Sequence, residues 1–277
     1  MARINSKIIF VTTSPRTPAK MIPEIELLNA NFSGQRWNNE SQIAFMELLK
    51  HENFFNGEGA NDPAFSARDR INRAPQSLGF VVLSPRIQVT LAGEELIKTR
   101  RKEEIFLRQL LKFQLPSPYH IPTANSADFW VKPYLELFRL IKHFGSLKFE
   151  ELRIFGLQLV DYRQFDNIVT KINKFRIAKT QFVGNYRKFI SDYLERELKE
   201  IYQDDIAAGN TRTRENNDAT VVNFLRTKAR NMRDYADACV RYLRATGLVN
   251  ISHIGKSISI IPEKNQEVDY FLENTDR

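Results

Sequence analysis

One pattern occurs twice in this chain and limits its architecture more than any other. "LGFVVLSPRIQVT", from Leu78, and "TGLVNISHIGKSISI", from Thr246, both leave a helix at a glycine, take an apolar step and turn through a tight hairpin into an apolar second strand. A helix followed at once by a hairpin is the order of a winged helix-turn-helix, whose last helix is shaped to lie in a DNA groove. The identity between the two stretches is too weak for a sequence repeat. The pattern therefore predicts two units of one kind, with a boundary between residues 115 and 130.

In the first unit, Ile43, Phe45, Met46, Leu48 and Leu49 lie at near-helical spacing and predict a helix. The next stretch, "AFSARDRINRAPQSL", carries Arg68, Arg70 and Arg73 around an apolar ladder. Ser66 is the predicted N-cap. Ala67, Ile71, Ala74 and Leu78 form one stripe, flanked by Arg70, Arg73 and Ser77 on one side and Arg68, Asn72 and Gln76 on the other. Pro75 breaks the last turn, so two short helical pieces are expected. After the hairpin, Thr90 caps a helix read as continuous through "LAGEELIKTRRKEEIFLRQLLKF", with Glu94 and Glu95 at its positive end. Upstream, "KIIFVTT" reads as a strand, and the proline-rich "SPRTPAKMIPE" as a loop presenting Arg16 and Lys20.

The second unit opens with "ADFWVKPYLELFRLIKHFG", a helix closed by Gly145. "SLKFEELRIFGLQL", "FDNIVTKINKFRIA" and "VGNYRKFISDYLERELKEIYQDDIAA" read as further helices, then "GNTRTRENND" as a basic loop. "ATVVNFLRTKARNMRDYADACVRYLRATGLV" is helical throughout, as one helix or as two. Ala236, Val240 and Leu243 face inward, and Arg233, Asp237, Arg241 and Arg244 share the opposite face. Asp237 can be an intrahelical staple for its arginines or an acceptor for a cytosine amino group. A stripe of this kind is often no more than a solvated face. Its occurrence before both hairpins, with Asp69 and Asp237 each among arginines, favours groove-reading helices. Arg16, Lys20, Arg100, Arg101, Lys102, Arg212, Arg214 and Lys228 suit phosphate contacts.

The composition agrees with a folded, polyanion-binding chain: 277 residues, 42% hydrophobic, 41 Lys and Arg against 33 Asp and Glu, net charge +8. Cys239 is the single cysteine, so no internal disulfide can form. It sits among small residues and reads as buried, not nucleophilic. No apolar run reaches the ~20 residues of a membrane helix. His51, His120, His143 and His253 lack metal-ligand spacing. Asp192 with Glu197-Leu198-Lys199 imitates a nuclease motif, but one helix would hold all of them, and the geometry is wrong for magnesium. No catalytic constellation is legible.

"SPRTPAKMIPE", "AFSARDR", "GFV", "LAGEELIKTRRKEEIFLRQLLKFQLPS" and "KARNMRDYADACVRYLRATGL" resemble the N-terminal part of the AlwI-type restriction endonucleases, type IIS enzymes whose group includes nicking enzymes. The resemblance runs from about Ser14 to about Pro262. It implies a winged-helix-like region that recognises a short asymmetric DNA site, and a separate C-terminal magnesium-dependent nuclease domain that cuts a few base pairs away. By position it implies Ser14, Arg16, Lys20, Arg68, Asp69, Arg70, Arg100, Arg101, Arg230, Asn231, Arg233, Asp237, Arg241 and Arg244 as DNA contacts. An apparent insertion near Asn72-Arg73 puts Arg73 outside the strict pattern, although its place on the stripe keeps it among the candidates, with Arg212 and Arg214.

The expectations are thus a mainly α fold with short β-hairpins (α+β), and two winged-helix-like DNA-binding subdomains over 1–118 and 119–277. The expected function is sequence-specific double-stranded DNA binding, as the recognition region of a type IIS restriction or nicking enzyme. The expected chain is a cytoplasmic monomer that binds no metal itself; magnesium would belong to a nuclease domain or subunit outside it. A plasmid replication initiator with paired winged helices is the alternative, and a protein-docking module a third reading.

Overall fold

The structure is a computed structural model that describes residues 2–4, 6–10, 15, 17–55, 62–213, 218–252 and 256–277. Its first strand, β1 (Ala2–Ile4), pairs in parallel with β4 (His120–Pro122). The described part of the β-branched run that follows it is not the predicted strand; Val11, Thr12 and Thr13 lie outside the described residues. Lys7–Phe10 carries no strand; Ile8 and Ile9 are buried, and the Ile9 amide donates to the Leu157 carbonyl at 2.7 Å. The apolar signal was real, but it marks a core plug, not a sheet element.

The proline-rich loop is also shorter than predicted. Pro18–Lys20 forms a 3-10 turn, and α1 (Met21–Phe32) starts at once with Pro23 in its first turn. Proline is tolerated there because the first amides of a helix have no intrahelical partner to lose. Next comes α2 (Asn39–Lys50), capped by Asn38, whose Oδ1 accepts from the Ser41 amide at 3.0 Å. α3 (Pro63–Ile71) is capped by Asp62, which accepts from the Phe65 amide at 2.9 Å. Ser66, the predicted cap, lies inside that helix. The helix ends before Asn72, and α4 (Ala74–Ser77) follows, as Pro75 required. Ala67, Ile71, Ala74 and Leu78 are all buried.

The first hairpin pairs β2 (Val81–Val82) with β3 (Gln88–Val89), antiparallel. Thr90 Oγ1 accepts from the Gly93 amide at 3.1 Å and starts α5 (Leu91–Lys98). The long helix predicted here is broken: α6 begins anew (Lys102–Lys112) after an extended Thr99. Lys102 explains the break. Its ammonium donates to the Leu96 carbonyl and, at 2.7 Å, to the Ile97 carbonyl, so it satisfies the open end of α5.

The second half opens with α7 (Pro133–Phe144). Gly145 ends it at φ 69°, a conformation glycine adopts without strain. β5 (Ser146–Lys148) and α8 (Phe149–Ile154) follow, then α9 (Phe165–Gln181), α10 (Tyr186–Ile201), α11 (Gln203–Ala207) and the 25-residue α12 (Val221–Ala245). β6 (Val249–Ile251) and β7 (Ser257–Ile260) form the second predicted hairpin. β5, in a stretch read as helical, joins it in a three-stranded antiparallel sheet of order β5-β7-β6, with Leu147 and Ile251 both opposite Ile258. The acidic tail is the helix α13 (Asn265–Asn274), docked on α7 through Phe138 and Phe271 and through Arg277, whose guanidinium grips the buried Glu136 at 2.7 and 3.0 Å.

The fold is mainly helical with small sheets, the α+β class expected. Among the described residues, all its buried apolar side chains but Ala64 form one connected cluster from Ile8 to Leu272. α12 runs through that cluster and packs on α6, α8, α10 and the 3-10 turn before α1. Met232, Ala236, Cys239, Tyr242 and Leu243 make its inner face. Burial pushes the Cys239 thiol up, which fits a core residue and not a nucleophile.

Candidate nucleic-acid interface

The outer face of α12 is where the sequence and the packing together leave positive charge. Thr220 caps the helix by accepting from the Asn223 amide at 3.4 Å. With the inner residues fixed in the core, the helical period turns Arg226, Arg230, Arg233, Arg241 and Arg244 outward, and all five are exposed. Asp237 fills the step between Arg233 and Arg241. Its Oδ2 accepts from Arg241 Nε at 2.8 Å, so in this conformation it is the intrahelical staple of the two roles open to it. Arg241 also reaches Thr17 Oγ1 at 3.4 Å, and the Tyr242 hydroxyl donates to the Pro15 carbonyl at 3.2 Å. These contacts seat the proline-rich stretch against the end of the ridge. Lys20 is exposed beside it; Ser14 and Arg16 lie outside the described residues. Asn231, one position after Arg230, is half-buried on the side of the helix.

α8 adds a cation to the ridge. Arg153 donates from Nη2 to the Ala229 carbonyl at 2.9 Å, while its Nε is buried without a hydrogen-bond partner. Burial, with the like charge of Arg233 beside it, holds this guanidinium below its ordinary range. Two adjacent cations, one of them poorly solvated, form an environment that an anion would relieve. Arg73 comes to the other flank. It lies 2.5 Å from Asp69, and its charge acts on the half-buried Tyr235 in α12, whose pKa burial pushes up.

The remaining arginines of α3 point a different way. Arg68 donates to Gln42 Oε1 at 2.7 Å, which ties α3 to α2. Arg70 is ion-paired with the buried Glu24 of α1 and lies over the Phe55 ring at 4.8 Å. Burial outweighs the pull of Arg70 and raises the Glu24 carboxyl to about 7. Arg68 and Arg70 therefore hold helices together in this conformation.

The other candidates are scattered. Arg100 and Arg101 are exposed at the α5–α6 break, with Arg101 paired to Glu104 at 3.3 Å. Arg212 is exposed and shares a cleft with Lys7, Asp205 and Lys228. Lys228 lies over the rings of Tyr202 and Phe224 at 4.6 and 5.0 Å, and burial lowers its pKa. Arg214 is outside the described residues. Sequence reasoning missed Arg226 and Arg153. Arg226 lies one turn back along the same stripe and was findable; Arg153 reaches the ridge only through the packing of α8.

The nuclease-like residues do not gather as metal ligands. No three His, Cys, Asp or Glu side chains converge as metal ligands among the described residues. Glu197 is buried against Lys171 at 3.0 Å, Asp192 pairs with Lys188 at 2.8 Å, and Lys199 with Glu195 at 2.7 Å. Each member of the nuclease-like motif already serves a local pair, and all of them lie on α10.

A family model described as AlwI restriction endonuclease matches residues 76–277, well over half of the chain. The chain belongs to the AlwI restriction endonuclease family. Comparison with curated proteins finds no match. The AlwI match takes in α12, its ridge and the three-stranded sheet, and begins after Arg68, Arg70 and Arg73. Membership makes this a restriction-type protein with DNA as its partner. Among the described residues, no helix is long and apolar enough to cross a membrane.

Proposed function

We propose that the chain is a sequence-specific double-stranded DNA-binding region of a type IIS restriction or nicking endonuclease, and that the outer face of α12 reads the site. The observation that carries this reading is the exposed ridge of Arg226, Arg230, Arg233, Arg241 and Arg244 on the helix that leads into the β6–β7 hairpin. Arginine's forked donors match the O6 and N7 edge of guanine, and a major groove admits one helix. Asp237 can exchange its bond with Arg241 for one with a cytosine amino group.

The order α7, β5, α8, α12, β6, β7, with β7 in the middle of the sheet, supports a winged-helix unit with α9, α10 and α11 inserted before its last helix. In this reading α12 is the recognition helix and β6–β7 the wing. Residues 1–118 form the companion unit, with α3 and α4 before the β2–β3 wing. Lys20, Arg100, Arg101 and Arg212 lie on phosphates and set register without reading sequence. The chain binds as a monomer in the cytoplasm. These residues bind and do not cut: magnesium and hydrolysis belong to a nuclease domain or subunit.

The test is selection from a randomised duplex pool without magnesium, at two salt concentrations. Enrichment of one short non-palindromic motif is expected. Enrichment of direct repeats would replace the reading with that of a replication initiator. Weak binding that salt abolishes, without enrichment, would reduce the ridge to a solvated face.

A further inference from the structure

The α9–α10 hairpin carries a feature that α12 does not explain. From Lys171 to Lys188 the chain has six basic residues and no acidic one: Lys171, Lys174, Arg176, Lys179, Arg187 and Lys188. Residues 180–188 are exposed without interruption. Yet the same tip bears apolar side chains in water: Val183 is 96% exposed, Ile177 57%, and Phe182 and Tyr186 40% each. Clustered apolar exposure on a projecting element marks a contact surface, because each such side chain forgoes the stabilisation of burial.

The hairpin is held firmly at its base. Arg176 donates from Nε and Nη2 to the Glu151 carboxylate at 2.8 Å and from Nη2 to the Ser146 carbonyl at 2.9 Å. Lys171 pairs with Glu197 and Glu200, both at 3.0 Å. α10 packs along α12, the helix that bears the ridge. Above the base, an aromatic column stiffens the tip: Phe175 stacks on Phe189 at 5.7 Å, and Phe182 lies 4.8 Å from Phe189. The turn itself depends on Gly184, at φ 147°, where an added Cβ would stand 3.1 Å from the Phe182 ring. Lys171 and Arg176 thus serve the base. Lys174, Lys179, Arg187 and Lys188 remain around the tip, with Lys179 over the Tyr186 ring at 4.6 Å and Lys188 paired to Asp192.

We infer that this tip is a second duplex-DNA contact, in which Val183 and Phe182 press into the minor groove as an apolar wedge. Lys174, Lys179, Arg187 and Lys188 hold the flanking phosphates. A basic collar around an apolar wedge matches the chemistry of a groove, with anionic walls outside and base edges or an unstacked step inside. An acidic protein surface would satisfy the collar but leaves no reason for Val183 to stand out beyond it. The inference rests on the DNA-binding reading above and adds to it a partly unstacked step beside the site that α12 reads.

The experiment uses the full chain, the selected duplex and 2-aminopurine placed in turn at steps within and beside the site. Three proteins are compared with the parent: Val183→Ser, Lys174→Gln/Arg187→Gln, and Arg233→Gln. The parent should brighten 2-aminopurine at one step. Val183→Ser should abolish that signal and weaken binding about tenfold, as for an apolar side chain removed from a buried contact. Lys174→Gln/Arg187→Gln should make the log affinity against log salt line shallower by about 0.9 for each phosphate left without its cation. Both tip variants should keep the parent's thermal melting, since the substituted residues are exposed. If both bind and brighten like the parent while Arg233→Gln loses affinity, the tip is not a DNA contact and the DNA reading stands. If the tip variants change only the sedimenting mass of the protein, the tip docks a second copy and the inference is overturned. If the parent shows no specific binding at all, the DNA reading fails and takes this inference with it.

Discussion

α3 and α12 look alike as strings: each sets arginines and one aspartate around an apolar stripe, and each precedes a hairpin. Folded, they differ. In α3 the neighbouring helices supply partners, so Arg68 meets Gln42 and Arg70 meets Glu24. In α12 the neighbours cover only the inner face, and five arginines stay on the surface. An arginine stripe is thus ambiguous until the surrounding helices are known. Arg68 and Arg70 are held by partners on other helices, whereas Arg241 is held by Asp237 on its own helix and stays on the outer face.

The sharpest way to break this comparison is to strip each helix in turn. Arg230→Gln/Arg233→Gln/Arg244→Gln should lower affinity for the selected duplex by at least about a hundredfold, taking about 1–3 kcal/mol for each good base contact. Its melting should stay near that of the parent. Comparable binding by the triple variant would end the distinction between the two helices.

Arg70→Gln should do the reverse, costing stability first. It leaves Glu24 buried without its cation, and since Glu24, with a pKa of about 7, can take up a proton instead, the pH-dependent loss at pH 8 is about 1.4 kcal/mol at most. The loss should shrink at pH 5, where Glu24 is protonated and needs no partner. Denaturant titrations at the two pH values decide this. An equal loss at both would mean that Arg70 acts through packing on Phe55.

A separate effect follows from Glu24 itself. Its folded pKa, about 7, lies above the ordinary carboxyl value, so the folded state holds the proton more tightly than the unfolded state. The resulting stabilisation is complete below about pH 4.5 and is lost as pH rises through about 7. Glu24→Gln should flatten the stability profile across that window. A parent profile that rises there would show the Arg70 attraction outweighing burial.

The smallest effect is expected for Asp237→Asn. An exposed helix pair contributes at most about 0.5 kcal/mol, so melting should hardly move. Base preference in the selected motif should change instead, because Arg241 is released and the cytosine acceptor becomes an amide. An unchanged motif would confine Asp237 to its staple.

The same contrast explains what could be read in advance. α2, the two pieces α3 and α4, α7, the helical character of α12 and both hairpins follow from periodicity, proline and turn residues within a dozen positions; that α12 runs unbroken does not. The stripe Ala67, Ile71, Ala74 and Leu78 was legible as core for that reason. β5 was not, because its three residues become a strand only by pairing with Ser257, Ile258 and Ser259, far along the chain. β1 and β4 pair across a similar separation. The split between α5 and α6 depends on where the Lys102 ammonium reaches, which periodicity does not encode. Of the candidate site, the α12 face was largely legible, as one helical period fixes it. Arg70 was not: its partner Glu24 lies 46 residues upstream, and nothing local announces it. The α9–α10 tip reads as plain helices in the sequence for a related reason, since exposure belongs to the packed molecule.

Whether the outer face of α12 touches bases is open to crosslinking. A photocrosslinking amino acid would be placed at position 233 and, in a second protein, at position 68, each bound to the selected duplex. A base-specific crosslink within the motif is expected from position 233 and none from position 68. A crosslink to the motif from position 68, with position 233 silent, would contradict base reading by α12.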